Sequence, residues 1–101
     1  ADQLEKATKY NGSATIYHYL ALSYGQISEY EKAIENEEKV IEMLNGEKSE
    51  EEMAKYYYSL AGYYKEVGNN SKACSAYKNA AYGQYKANAE YQIQHILKCN
   101  N

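Results

Sequence analysis

The sequence predicts an all-α domain of antiparallel helix-turn-helix repeats, and three observations carry the prediction. Ala14, Tyr17, Leu20, Ala21, Tyr24, Lys32 and Ala33 recur in register 40 residues later as Ala54, Tyr57, Leu60, Ala61, Tyr64, Lys72 and Ala73. Apolar residues fall at three- and four-residue steps through most of the chain, and no segment reads convincingly as a strand. At 101 residues the chain is long enough for one modest core and no more than one domain. A repeat of this period means stacked units that bury a face together, and such arrays mostly bind other proteins.

The elements follow in order. Leu4 and Ala7 mark a partial helix within 1–13, ending at Asn11-Gly12. Ile16, Tyr17, Leu20, Ala21, Tyr24 and Ile27 form one apolar stripe and predict a helix over 14–27. Tyr30, Ala33, Ile34, Val40, Ile41 and Leu44 predict a second over 29–44, ended by Asn45-Gly46, since either residue tolerates a left-handed cap. Repeat 1 therefore covers 14–48. Ser49-Glu50-Glu51-Glu52 is a capping box with acids in the first turn, and it starts a third helix bearing Met53, Tyr57, Leu60, Ala61, Tyr64 and Val67. Gly68 stops it, and Asn69 or Asn70 caps a fourth helix with Ala73, Ala76, Tyr77, Ala80 and Ala81, completing repeat 2 over 49–86. A turn is expected at Gly83 and Lys86-Ala87-Asn88-Ala89, then a partial or capping helix within 87–101 that carries Tyr91, Ile93, Ile96 and Leu97. One continuous long helix is the alternative there, because no Pro or strong turn pair interrupts the segment.

Composition narrows the function. Fourteen Tyr and no Phe, Trp, Arg or Pro leave Tyr to supply the aromatic bulk, and each buried ring then needs an outlet for its hydroxyl. Thin helical layers provide one. A net charge of −3 argues against nucleic acid as a partner. Ten Glu and three Lys over 29–52, against two Glu and six Lys over 53–101, read as a solvated helix face or as an acidic patch for a basic partner. No apolar run approaches the ~20 residues of a membrane span, and no signal peptide is evident. Cys74 and Cys99 are too few for a disulfide framework and lack metal-ligand spacing. Free thiols and a cytoplasmic location are the first expectation. If a hairpin turns near Lys86–Ala87, the two cysteines lie at matching heights and a bridge is feasible, with a periplasmic or secreted location. Asn11-Gly12-Ser13 and Asn69-Asn70-Ser71 are glycosylation sequons, short enough to arise by chance.

Each unit carries Tyr-x-x-Leu-Ala-x-x-Tyr and, nine residues on, Ala: Tyr17, Leu20, Ala21, Tyr24 and Ala33, then Tyr57, Leu60, Ala61, Tyr64, Ala73 and Tyr77. This resembles the tetratricopeptide repeat, whose pattern is Trp-x-x-Leu-Gly-x-x-Tyr followed by Ala-x-x-x-Phe and a closing Pro. Small Ala21, Ala61, Ala33 and Ala73 let paired helices approach, and Tyr24 and Tyr64 fill the space beside them. Tyr stands for the Trp and Ala for the Gly, while Glu37 sits where Tyr77 keeps an aromatic. Ser28 takes the turn position of Gly68, with Ser28-x-x-Glu31 as a compensating capping box, and the closing Pro is missing. The period exceeds the common ~34 residues and is similar to the extended repeats of peptide-sensor and cargo-adaptor arrays.

The resemblance implies an α-solenoid with a right-handed superhelix, whose first helices line a concave groove for a peptide or partner helix. The groove positions it implies are Thr15, His18, Tyr19, Leu22 and Gln26, then Lys55, Tyr58, Ser59, Gly62, Lys65 and Glu66. The Lys and Asn clamp of chaperone-binding repeats is not matched, because His18, Leu22 and Ser59 stand there and only Lys55 is basic. The expected activity is protein–protein interaction with a protein or peptide partner. The alternative is a structural unit that stacks with other copies through its end helices. No catalytic constellation, metal motif or cofactor cradle is present in the sequence: His18 and His95 are isolated, Glu50–Glu52 lack calcium-loop spacing, and the six glycines are scattered. An enzyme, a metal and a cofactor are therefore not expected.

Overall fold

The computed structural model describes residues 13–99, all helix and turn. The expected helix over 1–13 and the first sequon lie outside the described residues. Four α-helices follow one another: α1 (Ser13–Gln26), α2 (Tyr30–Leu44), α3 (Glu50–Glu66) and α4 (Asn70–Asn79). A 3₁₀ turn at Gly83–Tyr85 leads into α5 (Lys86–Tyr91), which relaxes into a π-helical turn at Gln92–Ile96. Among the described residues no helix is long and apolar enough to cross a membrane.

Local chemistry sets the boundaries. Ser49 caps α3 as expected: its hydroxyl accepts from the Glu52 amide at 3.2 Å, and the Glu52 carboxylate accepts from the Ser49 amide at 3.1 Å. These bonds from Ser49 hold the Glu52 carboxyl below its usual range. Asn69 caps α4 by accepting from the Lys72 amide at 3.2 Å. Gly68 ends α3 with φ +81°, and the Asn69 amide reaches back to the Tyr64 carbonyl at 2.9 Å. The turn after α1 is built the same way, with Ser28 at φ +62° and the Glu29 amide on the Tyr24 carbonyl at 2.9 Å. Ser28 is thus the left-handed residue that closes α1. It does not head a capping box; Glu29 stands at the N-cap of α2 without a side-chain bond.

Residue pairs define how the helices lie. Lys32 sits over the Tyr24 ring at 5.6 Å and Lys39 over Tyr17 at 5.1 Å, so α2 runs back along α1. Lys72 sits over Tyr64 at 5.6 Å and Tyr77 meets Tyr58 at 5.6 Å, so α4 runs back along α3. The Lys32–Tyr24 contact recurs 40 residues on as Lys72–Tyr64. Burial recurs too: Ala33, Asn36, Glu37 and Val40 of α2 are buried, as are Ala73, Ala76, Tyr77 and Ala80 at the same offset. Across the hairpins His18 meets Tyr56, and Gly25 meets Tyr63, so α3 runs parallel to α1. A Cβ on Gly25 would lie 2.8 Å from the Tyr63 ring, which explains a bare backbone at that crossing.

The main core joins Leu60, Ala61, Tyr64, Ala73, Ala76, Tyr77, Ala80 and Ala89. Ala73 and Ala76 of α4, with Ala80 at its C-cap, let it approach α3 closely, and the Tyr rings fill what remains. The molecule spans 40 × 29 × 18 Å, and its thin dimension lets Tyr hydroxyls reach the edge. Among the described residues no buried side-chain polar atom lacks a partner. The chain turns at Ala80–Gly83, where Tyr82 is extended and Gly83 has φ +55°. The turn expected at Lys86–Ala89 is helix instead, and a single helix through 70–97 is ruled out. Cys74 and Cys99 are bridged, with Cα atoms 5.9 Å apart, which ties the terminal segment to α4.

Candidate binding groove

Three segments lie side by side and point the same way. Tyr56 and Tyr63 place α3 against His18 and Gly25 of α1. Tyr85 and Gln92 place the terminal segment against Tyr58 and Lys65 of α3, through rings 5.2 Å apart and a Lys65 ammonium donating to the Gln92 amide oxygen at 3.0 Å. Tyr58 and Lys65 are the 40-residue counterparts of His18 and Gly25. Residues 85–92 therefore lie on α3 as α3 lies on α1, in the position of a third first helix.

The eleven positions named from sequence separate into two groups on this surface. Thr15, Tyr19, Gln26, Lys55 and Glu66 are exposed, whereas His18, Leu22, Tyr58, Ser59, Gly62 and Lys65 are half-buried. Tyr19 is 57% exposed and stands clear of the core. Tyr58 is held between Tyr77 and Tyr85, so its ring contributes packing. Lys65 is engaged with Gln92. Tyr56 is the residue that sequence reasoning passed over: it lies under Lys55, whose ammonium is 5.1 Å from the ring centre. With Tyr85, Gln84, Lys48, Glu51 and Glu52, these two line a cleft of about 300 Å³ between α3 and the terminal segment.

Beneath this surface lies a buried carboxyl group. Glu37 is fully buried in α2, and both its oxygens stand 2.9 Å from His18 Nδ1. Burial pushes its carboxyl up, while the hydrogen bond and charge of His18 and the charge of Lys55 pull it down. The equivalent pair in the second hairpin is Tyr58–Tyr77, rings edge to face. A histidine–carboxyl hydrogen bond thus replaces an aromatic contact at one repeated place. Burial, with Glu37 nearby, pushes the Tyr63 hydroxyl up to about 12. On the opposite face Glu31, Glu35, Glu38 and Glu42 are exposed at helical spacing, with Glu38 accepting from the Tyr64 hydroxyl.

This arrangement sets aromatic faces beside two exposed cations, Lys48 and Lys55, and the carboxylates Glu51 and Glu52. Among the described residues no group of three His, Cys, Asp or Glu side chains is placed to hold a metal ion. Comparison with protein-family models, with curated proteins and with solved structures finds no match to the chain.

Proposed function

We propose that the chain is a tetratricopeptide-like protein-interaction module that holds a peptide or partner helix along its parallel first helices. The observation that carries this reading is the repeated register of α1, α3 and the terminal segment, which leaves Tyr19, Lys55 and Tyr56 on one face with a cleft beside them. Tyr is an effective anchor for such partners, because few rotors are frozen on binding, and the Lys55 ammonium over the Tyr56 ring adds a charge for an acidic group. The same register supports an α-solenoid, built from two hairpins and one further first helix.

The alternative, stacking of copies through the end helices, draws on the terminal segment. Ile93 and Leu97 turn inward onto the core, whereas Tyr91 and Ile96 of the same segment are exposed, 55% and 45%. Such exposed apolar residues are where a further copy would pack, and a capping helix with a polar outer face would not present them. The Cys74–Cys99 bridge favours an oxidising compartment over the cytoplasm.

Selection of binding peptides from a random library on the immobilised chain, followed by titration of variants, tests the reading. Tyr19→Ala and Lys55→Glu are expected to weaken the selected peptides at least tenfold with helical circular dichroism unchanged. Glu31→Lys with Glu35→Lys, on the acidic face, is expected to leave affinity within about twofold. Loss of binding only in the acidic-face variant would move the recognition surface to α2.

A further inference from the structure

We infer that the chain carries a thiol-exchange site: a small anionic thiol enters the cleft between α4 and the terminal segment and attacks Cys99, releasing the segment. The cleft has a volume of about 690 Å³. Its walls are Ala81 and Ile93, Gln94, the cations Lys78 and Lys98, the carboxylate Glu90, and Cys99 itself. The cleft is therefore an open space beside a disulfide, with two ammonium groups and one carboxylate around it. A thiolate that also bears a carboxylate or sulfonate is attracted there more strongly than one with no second negative charge.

Access decides which sulfur is attacked. Cys99 lines the cleft, and Cys74, on α4, is not among the residues that do. The incoming thiolate forms a new S–S bond to Cys99 Sγ, and the electron pair of the old bond leaves on Cys74 as a thiolate. A second thiolate attacks the outer sulfur of this mixed disulfide. It departs with the first thiol as a small-molecule disulfide and leaves Cys99 as a thiolate. The protein disulfide is reduced by two electrons, and two small thiols are oxidised.

The conformational consequence follows from what else holds the segment. The terminal α5 is six residues long and continues into a single π turn, too short to persist as an isolated helix. Its other attachments are Ala89, Ile93 and Leu97 on the core, the Tyr58–Tyr85 contact and the Lys65–Gln92 bond. Once the bridge opens, these alone oppose release. Release also removes Gln84 and Tyr85 from the wall of the groove, a consequence that rests on the proposed groove, whereas the exchange chemistry does not.

The test uses the full chain and two thiols of similar size, 2-mercaptoethanesulfonate and 2-mercaptoethanol, with rates compared per thiolate at low ionic strength. The anionic thiol is expected to react about tenfold faster, and the preference is expected to shrink toward unity at molar salt. Lys78→Gln with Lys98→Gln leaves Glu90 as the cleft's one charged side chain, so the preference is expected to reverse. Acid quench, alkylation and peptide mapping are expected to find the mixed disulfide on Cys99, with deuterium uptake rising over 83–97. An adduct mainly on Cys74 overturns the proposal. So does a rate ratio indifferent to both salt and the lysine substitutions, or an adduct that forms without faster exchange over 83–97.

Discussion

The fully buried Glu37 is the residue at which this chain departs most from its own repeat. Its place in the second hairpin is taken by Tyr77, and its partner His18 is matched there by Tyr58. Removing one member of such a pair leaves the other without compensation, so His18→Ala is expected to cost about 3 kcal/mol in urea denaturation. Importing the second hairpin's solution as His18→Tyr with Glu37→Tyr is expected to cost less than that single change. The pH dependence has a definite sign. Burial raises the Glu37 carboxyl above the ordinary 4.5, so protonation favours the folded chain. Its contribution is fully present below pH 4.5 and is lost as pH rises through the raised folded value. Glu37→Gln is expected to abolish that decline, seen as urea midpoints that fall less than wild type between about pH 4 and pH 7. Sequence marked Glu37 as a departure from the aromatic position, but its burial and its pairing with His18 were not legible. Two polar residues 19 positions apart on different helices meet only through hairpin geometry, which no local spacing encodes.

At the scale of the helix, the turns were readable where their chemistry is strictly local. Gly46, Gly68, Ser49 and Asn69 each act within a few residues of their own backbone, and each stands where the sequence places it. Ser28 stands at the turn position that Gly68 holds, as the sequence places it, but the capping box with Glu31 does not form, because Ser serves equally as a cap and as a turn residue. Its φ of +62° shows that it does the work of the glycine it is aligned with. A left-handed non-glycine residue costs about 1–2 kcal/mol, and glycine returns about 0.5–1 kcal/mol of that through unfolded-chain entropy. Ser28→Gly is thus expected to stabilise by roughly 0.5–1 kcal/mol. Gly68→Ala, at φ +81°, is expected to destabilise by about 1 kcal/mol, and paired thermal melts of the two variants check both signs. Close helix approach sets a second limit. Ala21 and Ala61 are wholly buried, so Ala21→Leu or Ala61→Leu is expected to overpack its crossing and cost about 1–3 kcal/mol, measured as a lower denaturation midpoint at constant slope.

For the whole molecule, stacking was legible as far as the 40-residue identity extends and failed beyond it. The second repeat is shortened: α4 has 10 residues where α2 has 15, so the next first helix begins earlier than an offset of 40 would place it. The register of Tyr85 and Gln92 on α3 was hidden for that reason, and with it the cleft that joins Tyr85 to Tyr56. A repeat array is stable as a sum of units and interfaces, so its parts need not open together. The terminal segment is the shortest unit and the one held by a covalent bridge that closes a separation of 25 residues. Closing a loop of that size contributes about 3 kcal/mol, which corresponds to roughly a 150-fold change in the open population. Cys74→Ser with Cys99→Ser is therefore expected to raise hydrogen exchange over 83–97 by about two orders of magnitude. The α1–α2 hairpin shares no contact with the bridge, so its protection is expected to stay near that of the bridged chain. Equal loss of protection throughout would instead mark one cooperative unit, with the bridge stabilising both hairpins through the α3 interface.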